Sequence, residues 1–188
     1  LVRKLHNTLA QIALPPALLL ALLGPDLFGF VFGNAWREAG IIAQWFVPWL
    51  FLVFVTSPLS TLFTIREKQA QGLLFQVSLL CVRVLAILIG YLAEDFFVAV
   101  ASFALASAGM RLILLVVLLK DFYPSLVGLF YPTLSSLFWS SIVATPVFFI
   151  VVYDNNGFIE LAVPLTFSCC LILIRYYFLA RGLSAILK

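Results

Sequence analysis

The chain has 188 residues, of which 64% are hydrophobic and only 10% charged, whereas about a quarter of the residues of a soluble domain are charged; a water-soluble globular fold is excluded. Its net charge of +3 comes without any basic tract of the kind that grips phosphates along a duplex, which excludes nucleic-acid binding. Apolar runs reach the ~20 residues that a helix needs to cross ~30 Å of hydrocarbon, not the ~10-residue alternating segments of an outer-membrane barrel. The expected fold is therefore all-α and integral to a membrane, with helix packed on helix in lipid.

In chain order, residues 1–7 carry Arg3, Lys4 and His6 and read as the tail of a cytoplasmic loop, with His6 expected to be solvated. The chain starts on Leu1 and shows no charged start, apolar run and small-residue cleavage site in sequence, so it is expected to be the later part of something longer. A first span is expected over 8–23, kinked by Pro15 and Pro16, which remove two backbone donors. Gly24-Pro25 is then expected to end the helix, with a short apolar turn after it. Gly33-Asn34 makes a second break, and Trp36, Arg37 and Glu38 form the amphipathic edge of a helix leaving the headgroup layer.

The second span is expected over 40–65, sectioned by Pro48 and Pro58, with Trp36, Trp45 and Trp49 suiting the outer interface and the outer end of that span, and stacking on a sugar as the alternative. The third covers 72–92 and is closed by Glu94-Asp95. The fourth covers 96–119, where Ser102, Ala104, Ala106, Ser107, Ala108 and Gly109 form a small-residue face for close packing. Pro124 and Pro132 bracket 126–131, too short to span and expected to lie in the interface. A fifth span over 134–153, holding Pro146, turns at 154–157 into a sixth over 158–179, making six spans in all.

Lysine and arginine then set orientation. With the start inside, the inner segments hold Arg3, Lys4, Arg66, Lys68, Lys120, Arg181 and Lys188, and the outer loops hold only Arg37 among Asp26, Glu38, Glu94, Asp95, Asp154 and Glu160. This asymmetry places both ends in the cytoplasm. Cys81, Cys169 and Cys170 all fall in apolar runs and offer neither a disulfide framework nor a metal-ligand spacing. No metal, cofactor or catalytic residue is expected.

The residues that stand out are charges inside the spans: Arg83, Arg111 and, nearer an end, Arg175. A guanidinium at mid-membrane costs on the order of 2.5 to 3.5 kcal/mol on insertion scales and faces a bundle interior or a watery cavity. Arg83 lies roughly 16 Å and Arg111 roughly 13 Å from the cytoplasmic ends of adjacent antiparallel helices, so the two can converge on one polar lumen. No carboxylate within the spans neutralises them, and a free guanidinium takes phosphate or carboxylate oxygens bidentately. A polyprenyl diphosphate or an acidic sugar meets that need. Two other readings stay open: Arg111 snorkelling to the inner headgroups, and Arg83 bonding to serines and carbonyls of neighbouring helices. Arg175, beside Tyr176 and Tyr177, reads as a surface anchor. Gln44 and Gln76, with Thr56, Ser57, Ser60 and Ser78, are candidates to line the same lumen or to tie helices together. Pro48, Pro58 and Pro146 are candidate hinges, with a purely structural kink as the equal alternative.

The order Gly24-Pro25-Asp26-Leu27, Phe32-Gly33, Trp36, Glu38-Ala39, then Thr56-Ser57-Pro58-Leu59-Ser60 and the basic loop Arg66-Glu67-Lys68-Gln69 resembles a late segment of the lipid-linked polysaccharide flippases. These form the polysaccharide transport branch of the multidrug and oligosaccharide-lipid exporter superfamily, and the resemblance covers roughly residues 8–120. It implies a two-lobed exporter-type bundle in which residues 1–120 are the last four helices of the second lobe and 121–188 add an interfacial segment and a further helix pair. It also implies a multi-pass protein of the cell's inner membrane that carries a polyprenyl-diphosphate-linked glycan outward by alternating access. Its partners would be the bilayer, that glycan lipid and the missing N-terminal lobe of the same transporter. The alternatives are a multidrug-type exporter of the same superfamily, a non-catalytic membrane subunit, and an envelope polysaccharide polymerase or ligase. A polymerase or ligase would need a positioned acid, base or metal.

Overall fold

The computed structural model describes residues 2–123, 125, 128–131, 133–137, 140, 141 and 177. Among these the chain is helical: α1 is Val2–Phe32, followed by a short 3-10 turn at Asn34–Trp36, then α2 Arg37–Leu59, α3 Leu62–Ile65, α4 Gln69–Leu92 and α5 Phe96–Leu119. Four segments, Val2–Phe32, Asn34–Ile65, Gln69–Leu92 and Phe96–Leu119, are long and apolar enough to cross a bilayer. The protein is thus an all-α membrane protein. Most of the expected fifth and sixth spans, including Pro146, Arg175, Cys169 and Cys170, falls outside the described residues, whereas 128–131 of the interfacial segment and 133–137, 140 and 141 are helical.

The expected elbow is half correct. Gly24-Pro25 does not end the first helix, which continues through Pro15, Pro16 and Pro25 to Phe32. Pro25 brings no N–H to the carbonyl of Ala21, four residues back, but the side-chain Nε2 of Gln44 on α2 donates to that oxygen at 2.8 Å. The neighbouring helix replaces the lost backbone bond, which is how proline is tolerated within a membrane. The approach that allows this depends on two glycines. A Cβ on Gly24 would lie 2.6 Å from the Gly40 carbonyl oxygen, and one on Gly40 would overlap the Gly24 carbonyl and the Pro25 Cα. The break falls instead at Gly33, whose φ of 99° suits only glycine. Arg37 at the start of α2 then pairs with Asp26 near the end of α1, closing the hairpin.

Spatially the order is α1, α2, α5, α4: α1 packs on α2, α2 on α5 and α5 on α4. The α4–α5 hairpin is tight because Gly90 leaves no room for a side chain against Ala99, and Glu94 turns the chain with a left-handed φ of 52°. Asp95 caps α5 through its carboxylate, which accepts from the amides of Phe97 and Val98. The small-residue face of α5 is used much as expected. Ala104, Ser107 and Ala108 are buried, Ser102 Oγ donates to the Ala86 carbonyl at 2.8 Å, and only Gly109 stands in open space.

The main apolar core lies at one end of the bundle, where Ala10, Val55, Leu59, Leu114, Leu118 and Leu119 meet. This end also gathers Arg3, Lys4, Arg66, Lys68 and Lys120, while Asp26, Glu38, Glu94 and Asp95 lie toward the other. Here a further expectation is corrected. His6 is fully buried, not solvated, because α1 begins at Val2 and not at the expected residue 8. Its Nδ1 lies 2.9 Å from the Tyr123 hydroxyl, which donates to Asn7 Oδ1 at 3.0 Å. Arg3 bonds the Phe122 carbonyl and lies over the Tyr123 ring. The chain after α5 is thereby latched to the start of α1.

Candidate functional site

Arg83 enters the middle of the bundle from α4 and reaches α5, where its Nε donates to Ser107 Oγ at 3.1 Å. Its guanidinium carbon lies 5.3 Å from the centroid of Trp49 on α2 and 5.2 Å from that of Phe103 on α5. Rings at these distances attract a cation by their quadrupole. Phe46 completes the aromatic group, its centroid 5.6 Å from Trp49 and 6.0 Å from Phe103. Three helices therefore contribute to one cationic, aromatic-walled centre.

Phe103, Ser107 and Arg111 follow one another at four-residue intervals, so they share a face of α5. This register puts Arg111 one turn from the serine that holds Arg83. Arg83 makes the serine bond that was the alternative to a lumen role. No carboxylate balances the pair: the ion pairs among the described residues are Arg37–Asp26 and Arg66–Asp121, both at the ends of helices. Two further donors are buried without a partner among the described residues, Arg111 Nε and Trp49 Nε1. The centre is rich in donors and poor in acceptors.

The other candidates are dispersed. Gln44 spends its amide on the Ala21 carbonyl and so ties α1 to α2. Gln76 is exposed, on the same face of α4 as Arg83 two turns away. It lines a separate cavity of about 240 Å³ with Ser60, Thr64 and Gln69. Thr56, Ser60 and Ser78 bond carbonyls of their own helical segments, those of Leu52, Ser57 and Leu74. Pro48 lies within an unbroken α2, whereas Pro58 occupies its last turn, just before the Ser60-Thr61 break that separates α3.

Trp49 is the residue the sequence reading misplaced. It belongs to the centre beside Arg83 and not to an interfacial belt. The signal was its distance from the helix start: α2 begins at Arg37, which sets Trp49 roughly 18 Å down the axis and three residues from Phe46. Compared with known proteins, the chain matches no family model, no curated protein and no solved structure.

Proposed function

We propose that the chain is part of a membrane exporter that translocates an anionic, lipid-linked glycan precursor, with the Arg83–Arg111 centre holding the phosphate-bearing group during transit. The observation that supports this reading is a pair of arginines in the apolar bundle, Arg83 bonded to Ser107 and Arg111 one turn along α5 from that serine, with no ion pair to either among the described residues. Arg111 Nε and Trp49 Nε1 beside them add donors without acceptors. A diphosphate supplies both the missing charge and the missing acceptors. The aromatic wall of Phe46, Trp49 and Phe103 offers a face on which a sugar ring or prenyl chain can lie. The resemblance to the polysaccharide flippases points the same way, and it implies that the missing N-terminal lobe closes the other side of the lumen.

The test is binding of a short-chain polyprenyl diphosphate, compared with the uncharged polyprenol, to the chain in neutral-lipid nanodiscs, read by Trp fluorescence. Preference for the diphosphate, lost in both Arg83→Gln and Arg111→Gln, supports the reading. Equal binding of the two lipids, or a preference that survives both substitutions, overturns it.

A further inference from the structure

A second cationic site lies at the other end of α4 from its hairpin, and the function proposed above makes no use of it. Between the α3–α4 turn and the end of α5 is a cleft of about 110 Å³ lined by Arg66, Lys68, Gln71, Lys120 and Asp121. It has room for a headgroup phosphate and waters around it. Three cations face a single carboxylate here, leaving an excess of two positive charges.

Arg66 is held in place rather than neutralised. Its Nη1 donates to Asp121 Oδ2 at 2.7 Å, and its guanidinium carbon lies 4.8 Å from the centroid of Phe122, which leaves other N–H groups of the fork to bind. Lys68 and Lys120 have no ion pair among the described residues. Lys68 is also the N-cap residue of α4, and that helix start has neither a capping side chain nor an acidic residue in its first turn. The positive end of a long helix dipole is therefore added to the lysines, with Gln71 of the same first turn in the cleft wall.

The surroundings indicate what carries the phosphate. Val117 lines the cleft and is 42% exposed, and Ile113, one turn along α5, is 55% exposed. An apolar track thus leads from the cleft along the outside of the bundle, as an acyl chain requires and a free anion does not. We infer that this cleft is a binding site for the phosphate of an anionic phospholipid, held by Arg66, Lys68 and Lys120 with its acyl chain against Ile113 and Val117. The occupant is a structural lipid of the bilayer, distinct from any transported substrate.

The experiment titrates the full 188-residue chain in phosphatidylcholine nanodiscs with short-chain phosphatidylglycerol, short-chain phosphatidylcholine or inorganic phosphate, with native mass spectrometry as the readout. Phosphatidylglycerol is expected to bind at least tenfold more tightly than phosphatidylcholine. Affinity should fall about fivefold for each of Lys68→Gln and Lys120→Gln. Asp121→Asn should bind more tightly, a gain that misfolding cannot imitate. Arg83→Gln, which lies in the other centre, should leave this binding unchanged. Retention of the headgroup preference in the Lys68→Gln/Lys120→Gln double variant would overturn the site. Inorganic phosphate binding as tightly as phosphatidylglycerol would overturn its assignment to a lipid, and loss of the preference in Arg83→Gln would show that the anion is read at the central site instead.

Discussion

Gln44 donates its side-chain amide to the carbonyl of Ala21 at 2.8 Å, and Ala21 is the residue whose backbone partner Pro25 has removed. The bond therefore has one purpose that can be isolated. Gln44→Leu should destabilise the chain by about 0.6 to 1.7 kcal/mol, the range of interhelical hydrogen bonds in a membrane. In a Pro25→Ala background the backbone N–H returns, Ala21 is satisfied within α1, and the same Gln44→Leu should cost little. Thermal unfolding of the four proteins in detergent gives the coupling energy; equal costs in both backgrounds would mean that Gln44 acts through something other than this carbonyl.

The same crossing makes Gly24 and Gly40 the least replaceable small residues of the α1–α2 contact. A Cβ on Gly24 has 2.6 Å to the Gly40 oxygen, and the atom it meets is backbone, which cannot turn aside as a side-chain end can. Gly40→Ala should cost about 1 to 3 kcal/mol, the range for overpacking. Gly109→Ala, in open space on α5, should be neutral or slightly stabilising, since alanine is the better helix former. Unfolding temperatures of the two variants test the contrast, and equal effects would contradict the close approach.

How much of this was legible in the sequence depends on whether a feature is local. The third and fourth spans were readable almost to the residue, because α4 and α5 are predominantly apolar with no proline inside, and Glu94-Asp95 is a local turn and cap. The continuity of α1 through Pro25 was not readable, because proline's local rule is overridden by a residue on another helix, Gln44. His6 was misread for a similar reason: its partner, Tyr123, is 117 residues away. The similar depth of Arg83 and Arg111 on neighbouring helices was legible, since antiparallel neighbours convert sequence distance into height. That Trp49 joins them was not, because it depends on α5 lying between α2 and α4, an order of packing that no local pattern encodes.

The Tyr123 latch predicts a pH dependence. Burial pushes the Tyr123 phenol up, and the neighbouring Arg3 pulls it partly back. The folded chain thus favours the neutral phenol, which donates to Asn7. A folded pKa above the unfolded one means that this stabilisation is complete below the ordinary phenol value of about 10 and is lost as pH rises through the higher folded value. The unfolding temperature of the wild-type chain should fall more steeply above pH ~10 than that of Tyr123→Phe, which has no proton to lose. At neutral pH Tyr123→Phe should itself cost about 1 to 3 kcal/mol, because buried His6 and its neighbour Asn7 each lose a partner. Parallel pH curves for the two proteins would remove the phenol from the latch.

Arg111 and Arg83 should separate when each is replaced by leucine. Arg111 Nε is buried without a partner among the described residues, so Arg111→Leu removes an unfavourable group from an apolar setting. It should raise stability by about 1 to 3 kcal/mol, up to the insertion cost of a mid-membrane arginine. Arg83→Leu should gain less or lose, because it gives up the Ser107 bond and two ring contacts worth about 0.5 to 2 kcal/mol apiece where water is excluded. Stability traded for activity is a common feature of binding sites. Detergent unfolding of the two variants, alongside the diphosphate binding assay, reads both quantities at once. A stabilised Arg111→Leu that has lost diphosphate binding joins the centre to function, whereas a destabilised Arg111→Leu would make that guanidinium part of the scaffold.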